Sequence, residues 1–342
     1  MPNKSTSRGP YAYISNSGSA SVTVLDAITK EIVHNIPVVG NAGAMVLTPD
    51  EAFLYVANND SRSHSVSVIE VGSWRTVVPP VDVGMGANMN PTSLAVTSDG
   101  RKVFVALQDP ASINLTVQKR SDVCVINTAT NTVTAVIDAN IAGAPVNNWP
   151  DSPGRGLVGE LAIRPRSPLL YAPIMRANRI AVIDTEKDCV LRDFPAGSGP
   201  WLAFAPDGEH FYEVCTQNLG LAVFKTAGDS RELNFFPSQC ATPECVAVTP
   251  DSKRLYVTCV GSGNLSVIDA SDAAYPVIHT IQLPWRPPAP VGISPDGSEV
   301  WAMGGGDKPE LVVIETKNNS ESIRKSIPDA GPARVIFGSK IY

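Results

Sequence analysis

The sequence predicts an all-β, seven-bladed β-propeller with four-stranded blades, its ring closed by the C-terminal strand joining the N-terminal blade. Three observations carry this. A two-strand phrase recurs along the chain, its copies lie roughly 40–50 residues apart, and the two chain ends supply complementary parts of one repeat. The phrase is clearest at Lys253-Arg-Leu-Tyr-Val-Thr-Cys-Val-Gly-Ser-Gly-Asn-Leu-Ser-Val-Ile-Asp269. Leu255-Tyr256-Val257 is β-branched and aromatic, Gly261 to Asn264 is turn chemistry, and Leu265 to Asp269 alternates.

The first strand of each unit appears at Tyr13, Tyr55, Phe104, Tyr171, Tyr212, Tyr256 and Trp301, an aromatic set mostly among apolar residues. The second strand appears as Val22 to Asp26, Val66 to Glu70, Val123 to Asn127, Ile180 to Asp184, Leu221 to Phe224, Leu265 to Asp269 and Leu311 to Glu315. A third strand follows most of these, as at Glu31 to Ile36, and a fourth runs into a Pro-Asp turn, as at Met45 to Asp50. Four short strands per unit is a propeller blade. The repeat resembles the YVTN family of seven-bladed propellers over nearly the whole chain. That resemblance implies the fold and no particular activity, because propellers host many unrelated functions.

The chain enters the repeat at Tyr11 and ends on Ala333 to Phe337, which matches the strand that precedes Pro-Asp elsewhere. The last strand should complete the first blade and remove the free edges. Residues 1–10 are polar and read as a disordered arm, and residues 11–342 as one propeller.

Composition agrees. The 342 residues are 43% hydrophobic and 18% charged, with net charge −6, ordinary for a β-rich globule. No basic stripe suits nucleic acid, and no apolar run of 18 residues suits membrane insertion. No signal peptide is visible, and a trimmed one is compatible with the start. Oligomeric state is not legible.

Six cysteines allow 15 pairings. Cys215 and Cys259 hold one repeat position in neighbouring blades, and Cys240 and Cys245 lie in the segment between them. Two disulfides are expected, Cys215–Cys240 and Cys245–Cys259 being the preferred pairing. The alternative is four buried thiols. The wide spacing of Cys240 and Cys245 argues against a zinc knuckle. Asn-x-Ser/Thr triplets at Asn3, Asn114, Asn264 and Asn318 add a glycosylation signal, so a secreted or secretory-pathway protein is expected.

Departures from the repeat mark candidate function. Pro-Asp type turns at 49, 98, 165, 206, 250 and 295 are spaced by 49, 67, 41, 44 and 45 residues, so blade three carries an elaborated loop over residues 142–156 that contains Trp149. Blade four brings Met175 and Arg176 to the same face. Glu213 stands where other blades have Ile, Val or Ala, and a carboxylate among packed strands is costly unless paired or functional. Trp285 and Arg286 sit on a proline-rich feeder to blade seven.

Aligning the inner strands puts Ala44, Ser93, Glu160, Trp201, Cys245, Pro290 and Arg334 at the channel mouth. Trp149, Trp201, Trp285, Met175 and Arg334 are the expected substrate walls, and Glu213, Arg176, Arg286 and Glu160 the expected catalytic groups, for a partly apolar small molecule. The bland alternative is that the tryptophans plug the disc and the arginines pair with the glutamates. The four histidines occupy no common repeat position, so a histidine metal ring is not expected. No Ser-His-Asp set or Gly-x-Ser-x-Gly elbow is present.

An apolar cavity with arginine and tryptophan donors can orient a reactive polyene and stabilise charge on oxygen. The chain is similar in its sequons, cysteines and lack of a catalytic set to secreted fungal natural-product cyclases of the hetero-Diels–Alderase type. That likeness implies a cofactor-free cyclase, and this is the leading expectation. One alternative is a lactonase or other hydrolase working through Glu160, Glu213 or Glu244 and Asn148, with a divalent metal such as calcium. Another is a binding propeller with no catalysis.

Overall fold

A computed structural model of the chain describes residues 10–60, 64–84, 89–108, 122–139, 157–197, 199–215, 220–235, 237, 239–284, 291–304, 309–327 and 331–338. Apart from Pro10, the expected N-terminal arm lies outside these residues.

Blade one holds β1 (Tyr11–Asn16), β2 (Ser21–Asp26) and β3 (Ile32–Pro37). Blade two is β4 (Ala42–Leu47), β5 (Phe53–Asn58), β6 (Ser65–Glu70) and β7 (Arg75–Asp82). Blade three is β8 (Asn90–Val96), β9 (Lys102–Gln108), β10 (Asp122–Asn127) and β11 (Thr132–Asp138). Blade four is β12 (Ala162–Ile163), β13 (Leu169–Ile174), β14 (Arg179–Asp184) and β15 (Cys189–Pro195). Blade five is β16 (Trp201–Phe204), β17 (His210–Cys215), β18 (Gly220–Lys225) and β19 (Ser230–Phe235). Blade six is β20 (Pro243–Val248), β21 (Arg254–Cys259), β22 (Asn264–Asp269) and β23 (Val277–Gln282). Blade seven is β24 (Gly292–Ile293), β25 (Glu299–Gly304), β26 (Glu310–Glu315) and β27 (Ser320–Ser326). Finally β28 (Pro332–Phe337) pairs antiparallel with β1, giving a first sheet ordered β28-β1-β2-β3. The ring closes as the sequence predicts.

Two recurrent side-chain devices explain why the repeat reads as it does. In the Pro-Asp turns a hydroxyl donates to the aspartate two residues on, at 2.6 Å, in Thr48–Asp50, Thr97–Asp99, Thr249–Asp251 and Ser294–Asp296. Each aspartate also accepts the backbone N–H two residues further, which fixes the turn between inner strand and second strand. Likewise Asp26, Asn127, Asp184 and Asp269, which end the Val-x-Val-Ile-Asp phrase, accept N–H groups of the following turn.

That following turn places one residue at positive φ in every blade: Lys30, Trp74, Asn131, Asp188, Asp229, Tyr275 and Asn319, with φ between 49° and 62°. These residues latch neighbouring blades. Tyr55 donates to Asn131, Tyr171 to Asp229 and Tyr256 to Asn319, at 2.6, 2.6 and 2.9 Å. Blade three has Phe104 at the tyrosine position, and there Lys102 reaches Asp188 instead, at 2.8 Å. Lys30 of blade one lies 5.1 Å over the Trp301 ring of blade seven and pairs with Glu299.

The apolar cores sit between blades. Seven buried clusters fill the seven blade interfaces, each built from strands of two adjacent sheets. Side chains alternating along each strand therefore serve one neighbour and then the other, which is why these strands are buried on both faces.

Candidate active site

The inner strands surround the axis, and the mouth position holds the residues that the alignment picks out. Glu160, just ahead of β12, meets Arg334 on β28. Nη1 donates to Oε1 at 2.6 Å, and Nη2 donates to Oε2, so the pair is bidentate. Blades one and four stand across the ring from each other, so this ion pair spans the channel. The side chains are only 18% and 16% exposed. The Arg334 guanidinium also lies 4.4 Å over the ring of Trp201, the first residue of β16. Burial works against the charge on Arg334, but the facing Glu160 carboxylate outweighs it and raises its pKa further.

A cavity of about 180 Å³ opens here, lined by Glu160, Trp201, Cys245, Val291, Arg334 and Ile336 among others. Cys245 is a buried free thiol, pushed up to about 12 by burial. Beside it, half-buried Glu244 occupies a bulge in β20, where the register shifts between Pro243 and Cys245. Desolvation raises the Glu244 pKa above the ordinary carboxylate range.

Glu213 is elsewhere. It is fully buried on β17, on the strand face shared by Phe211 and Cys215, in the interface between blades four and five. Its Oε2 accepts the N–H of Gly197 at 2.7 Å, and its Oε1 has no hydrogen-bond partner. Burial pushes its pKa above the ordinary carboxylate range, against the opposing pull of the Gly197 N–H and the Arg231 charge. Glu213 is thus not among the residues that line the mouth cavity. The alternation of β17 turns it toward blade four, while Tyr212 and Val214 face blade six.

The cysteine pairing is corrected. The bond is Cys240–Cys259, with Cα atoms 5.1 Å apart, and Cys215 and Cys245 are free. The bulge at Glu244 sets Pro243, not Cys245, opposite Cys259, and Cys259 closes on the feeder cysteine instead. Of the triplet asparagines, Asn264 is 2% exposed and its amide nitrogen donates to the Gln239 carbonyl, so it presents no acceptor for a glycan. Asn318 is exposed in the turn before β27. Met175 lies in a short 3-10 turn (Met175–Ala177) and is half-buried. Trp149, Trp285, Arg286, Asn114, Asn148 and the side chain of Arg176 lie outside the described residues.

A metal centre does not fit the described donors. Among the described residues no three of His, Cys, Asp or Glu gather around one point. Glu160 is committed to Arg334, and Glu213 is sealed between blades. No helix among the described residues is long and apolar enough to cross a membrane.

No protein-family model matches the chain, and no characterised protein matches it by sequence. Solved structures do share the fold. The Pseudomonas aeruginosa periplasmic gluconolactonase aligns with a TM-score of 0.75 at 18% identity, covering 96% of this chain and 98% of that one. A Bacteroides fragilis protein described as a candidate 6-phosphogluconolactonase aligns at 0.74 and 14% identity, covering 99% and 100%. Kuenenia stuttgartiensis hydrazine synthase aligns at 0.69 and 19% identity, covering 96% and 98%. At these identities the likeness carries the fold. It also corrects the cyclase expectation: structures named as lactonases stand among the neighbours and favour the lactonase alternative. The disulfide is compatible with an extracytoplasmic protein, as is the periplasmic title of one neighbour. The chain is a seven-bladed β-propeller with four-stranded antiparallel blades, closed through its first sheet.

Proposed function

We propose that the chain is an extracytoplasmic lactonase of YVTN-type repeat architecture that opens small, sugar-derived lactones at the channel mouth. The observation that carries this is Arg334, held rigidly by Glu160 and Trp201 on the wall of a 180 Å³ cavity. Two of its five N–H groups go to Glu160. The others are the natural donors for a lactone oxygen. The titles of the lactonase-type neighbours support the same class.

The chemistry follows from ester hydrolysis. Water adds to the lactone carbonyl carbon, and the charge that develops on the carbonyl oxygen is met by the Arg334 guanidinium. Glu244, next in the chain to the cavity-lining Cys245, is the base that takes the water proton in this scheme, its pKa raised by desolvation. Collapse breaks the ring C–O bond, the proton passes to the ring oxygen, and a hydroxy acid leaves. The Glu160 carboxylate holds Arg334 in place and takes no proton.

A pH-stat comparison of five- and six-membered sugar lactones with open-chain aryl esters tests this. Lactone hydrolysis well above the spontaneous rate, with no gain on the open esters, is the expected result.

A further inference from the structure

Ala196, Gly197, Gly199 and Pro200, the described residues that feed blade five, lie between Glu213 and the channel mouth. At the start of this feeder the Gly197 N–H donates to Glu213 Oε2 at 2.7 Å. At its end the Pro200 carbonyl accepts the N–H of Glu160 at 2.6 Å. The next residue is Trp201, whose ring carries the Arg334 guanidinium. One short segment therefore has the buried carboxyl at one end and two mouth residues at the other.

The segment is also fitted closely to β17. A Cβ on Gly197 would overlap the Cys215 sulfur, and one on Gly199 would overlap the Val214 carbonyl. On the far side, a Cβ on Gly159 would come within 2.6 Å of the Pro200 oxygen. The feeder is thus packed against β17 on one side and against Gly159, next to Glu160, on the other.

Other blades hold their feeders to the end of the second strand by backbone bonds: Ser17 to Gly331, Asn59 to Asn41, Met175 to Leu157 and Val260 to Thr242. Blade six adds the Cys240–Cys259 disulfide at the same place. Cys215 of blade five holds the repeat position of Cys259 but is free. The buried carboxyl two residues earlier makes the side-chain tie instead. A fully buried acid with an unsatisfied oxygen costs stability, which a scaffold role alone does not explain.

We infer that Glu213 is a positioning residue of the channel site, acting through the Gly197–Pro200 feeder to set Trp201 and Glu160 against Arg334. Its effect on turnover rests on the proposed lactonase reading. Its effect on the feeder does not.

The test compares E213M, which keeps the volume and removes the acceptor, with E213Q, which keeps the acceptor oxygen. Hydrogen exchange is read at the amides of Gly197 and Glu160, and lactone kcat and KM are read on the same preparations. E213M is expected to lose protection at both amides and to lose kcat by about 10- to 100-fold with a smaller change in KM. E213Q is expected to keep Glu160 protected and to restore most of kcat. If wild type turns over no lactone, the lactonase reading fails and the exchange data still decide this inference. Unchanged Glu160 protection in a folded E213M overturns it, as does equal loss in E213M and E213Q. If E213M does not fold, E213L carries the same comparison.

Discussion

Arg334 and Glu160, 174 residues apart in sequence, meet as a bidentate ion pair that ties blade one to blade four across the channel. The pair is mostly buried, so each charge depends on the other. Removing one partner alone leaves an uncompensated charge. R334M is expected to lower unfolding free energy by about 1–3 kcal/mol, below the cost for a fully buried pair because some solvent reaches it. The double variant R334M/E160M should recover most of that loss. Urea unfolding of the four proteins in a double-mutant cycle measures it.

Glu213 predicts an alkaline weakness. Its pKa is raised in the folded protein by burial, so the folded state holds a proton that the unfolded state releases. Stability is then full below the ordinary carboxylate pKa and falls as pH rises from there toward the raised value, by at most about 1.4 kcal/mol per pH unit. E213Q removes the ionisation and should flatten that part of the curve. Urea midpoints taken from pH 4 to pH 9 for both proteins check the sign.

Under the proposed lactonase mechanism, the same direction at Glu244 sets the expected activity profile. The base works as the carboxylate, so kcat/KM should rise with pH through a limb above the usual glutamate range. E244Q should lose that limb along with most of the rate.

The disulfide closes a 19-residue separation, and removing it through C240S is expected to cost about 3 kcal/mol by loop entropy. Alkylation followed by digestion should find Cys189 modified in the native protein, since it is exposed, and Cys215 and Cys245 modified only after unfolding.

Each inter-blade latch is a separable contribution. Y171F removes a hydrogen bond to Asp229, which Arg192 also engages, and should cost about 1.5–3 kcal/mol. The same change of chemistry is already present at Phe104, where Lys102 and Asp188 make the link.

Fold and closure are legible in the sequence because the repeat is redundant. Seven copies of the tyrosine phrase and the turn aspartates vote on one register, and β28 matches the strand missing from the first blade. The mouth position is legible for the same reason: Glu160, Trp201, Cys245 and Arg334 line one cavity as the alignment implies. The register of the inner strands, which shifts at the same place in several blades, is not legible. The bulge that inserts Glu244 shifts β20 against β21 and exchanges the partner of Cys259. Glu213 is conspicuous in sequence, but its surroundings depend on strand parity and on Gly197 approaching from the feeder ahead of β16. Neither can be read from one strand. The ion pair joining Glu160 to Arg334 is the bland alternative in the sequence, and the structure makes it.

The measurement that tests the account most directly is lactone turnover by wild type and R334M, each shown to be folded. The account predicts that wild type opens sugar lactones well above the buffer rate and that R334M loses about 10²- to 10³-fold in kcat, as when an oxyanion donor is removed. Wild type no faster than buffer, or R334M as fast as wild type, would contradict it.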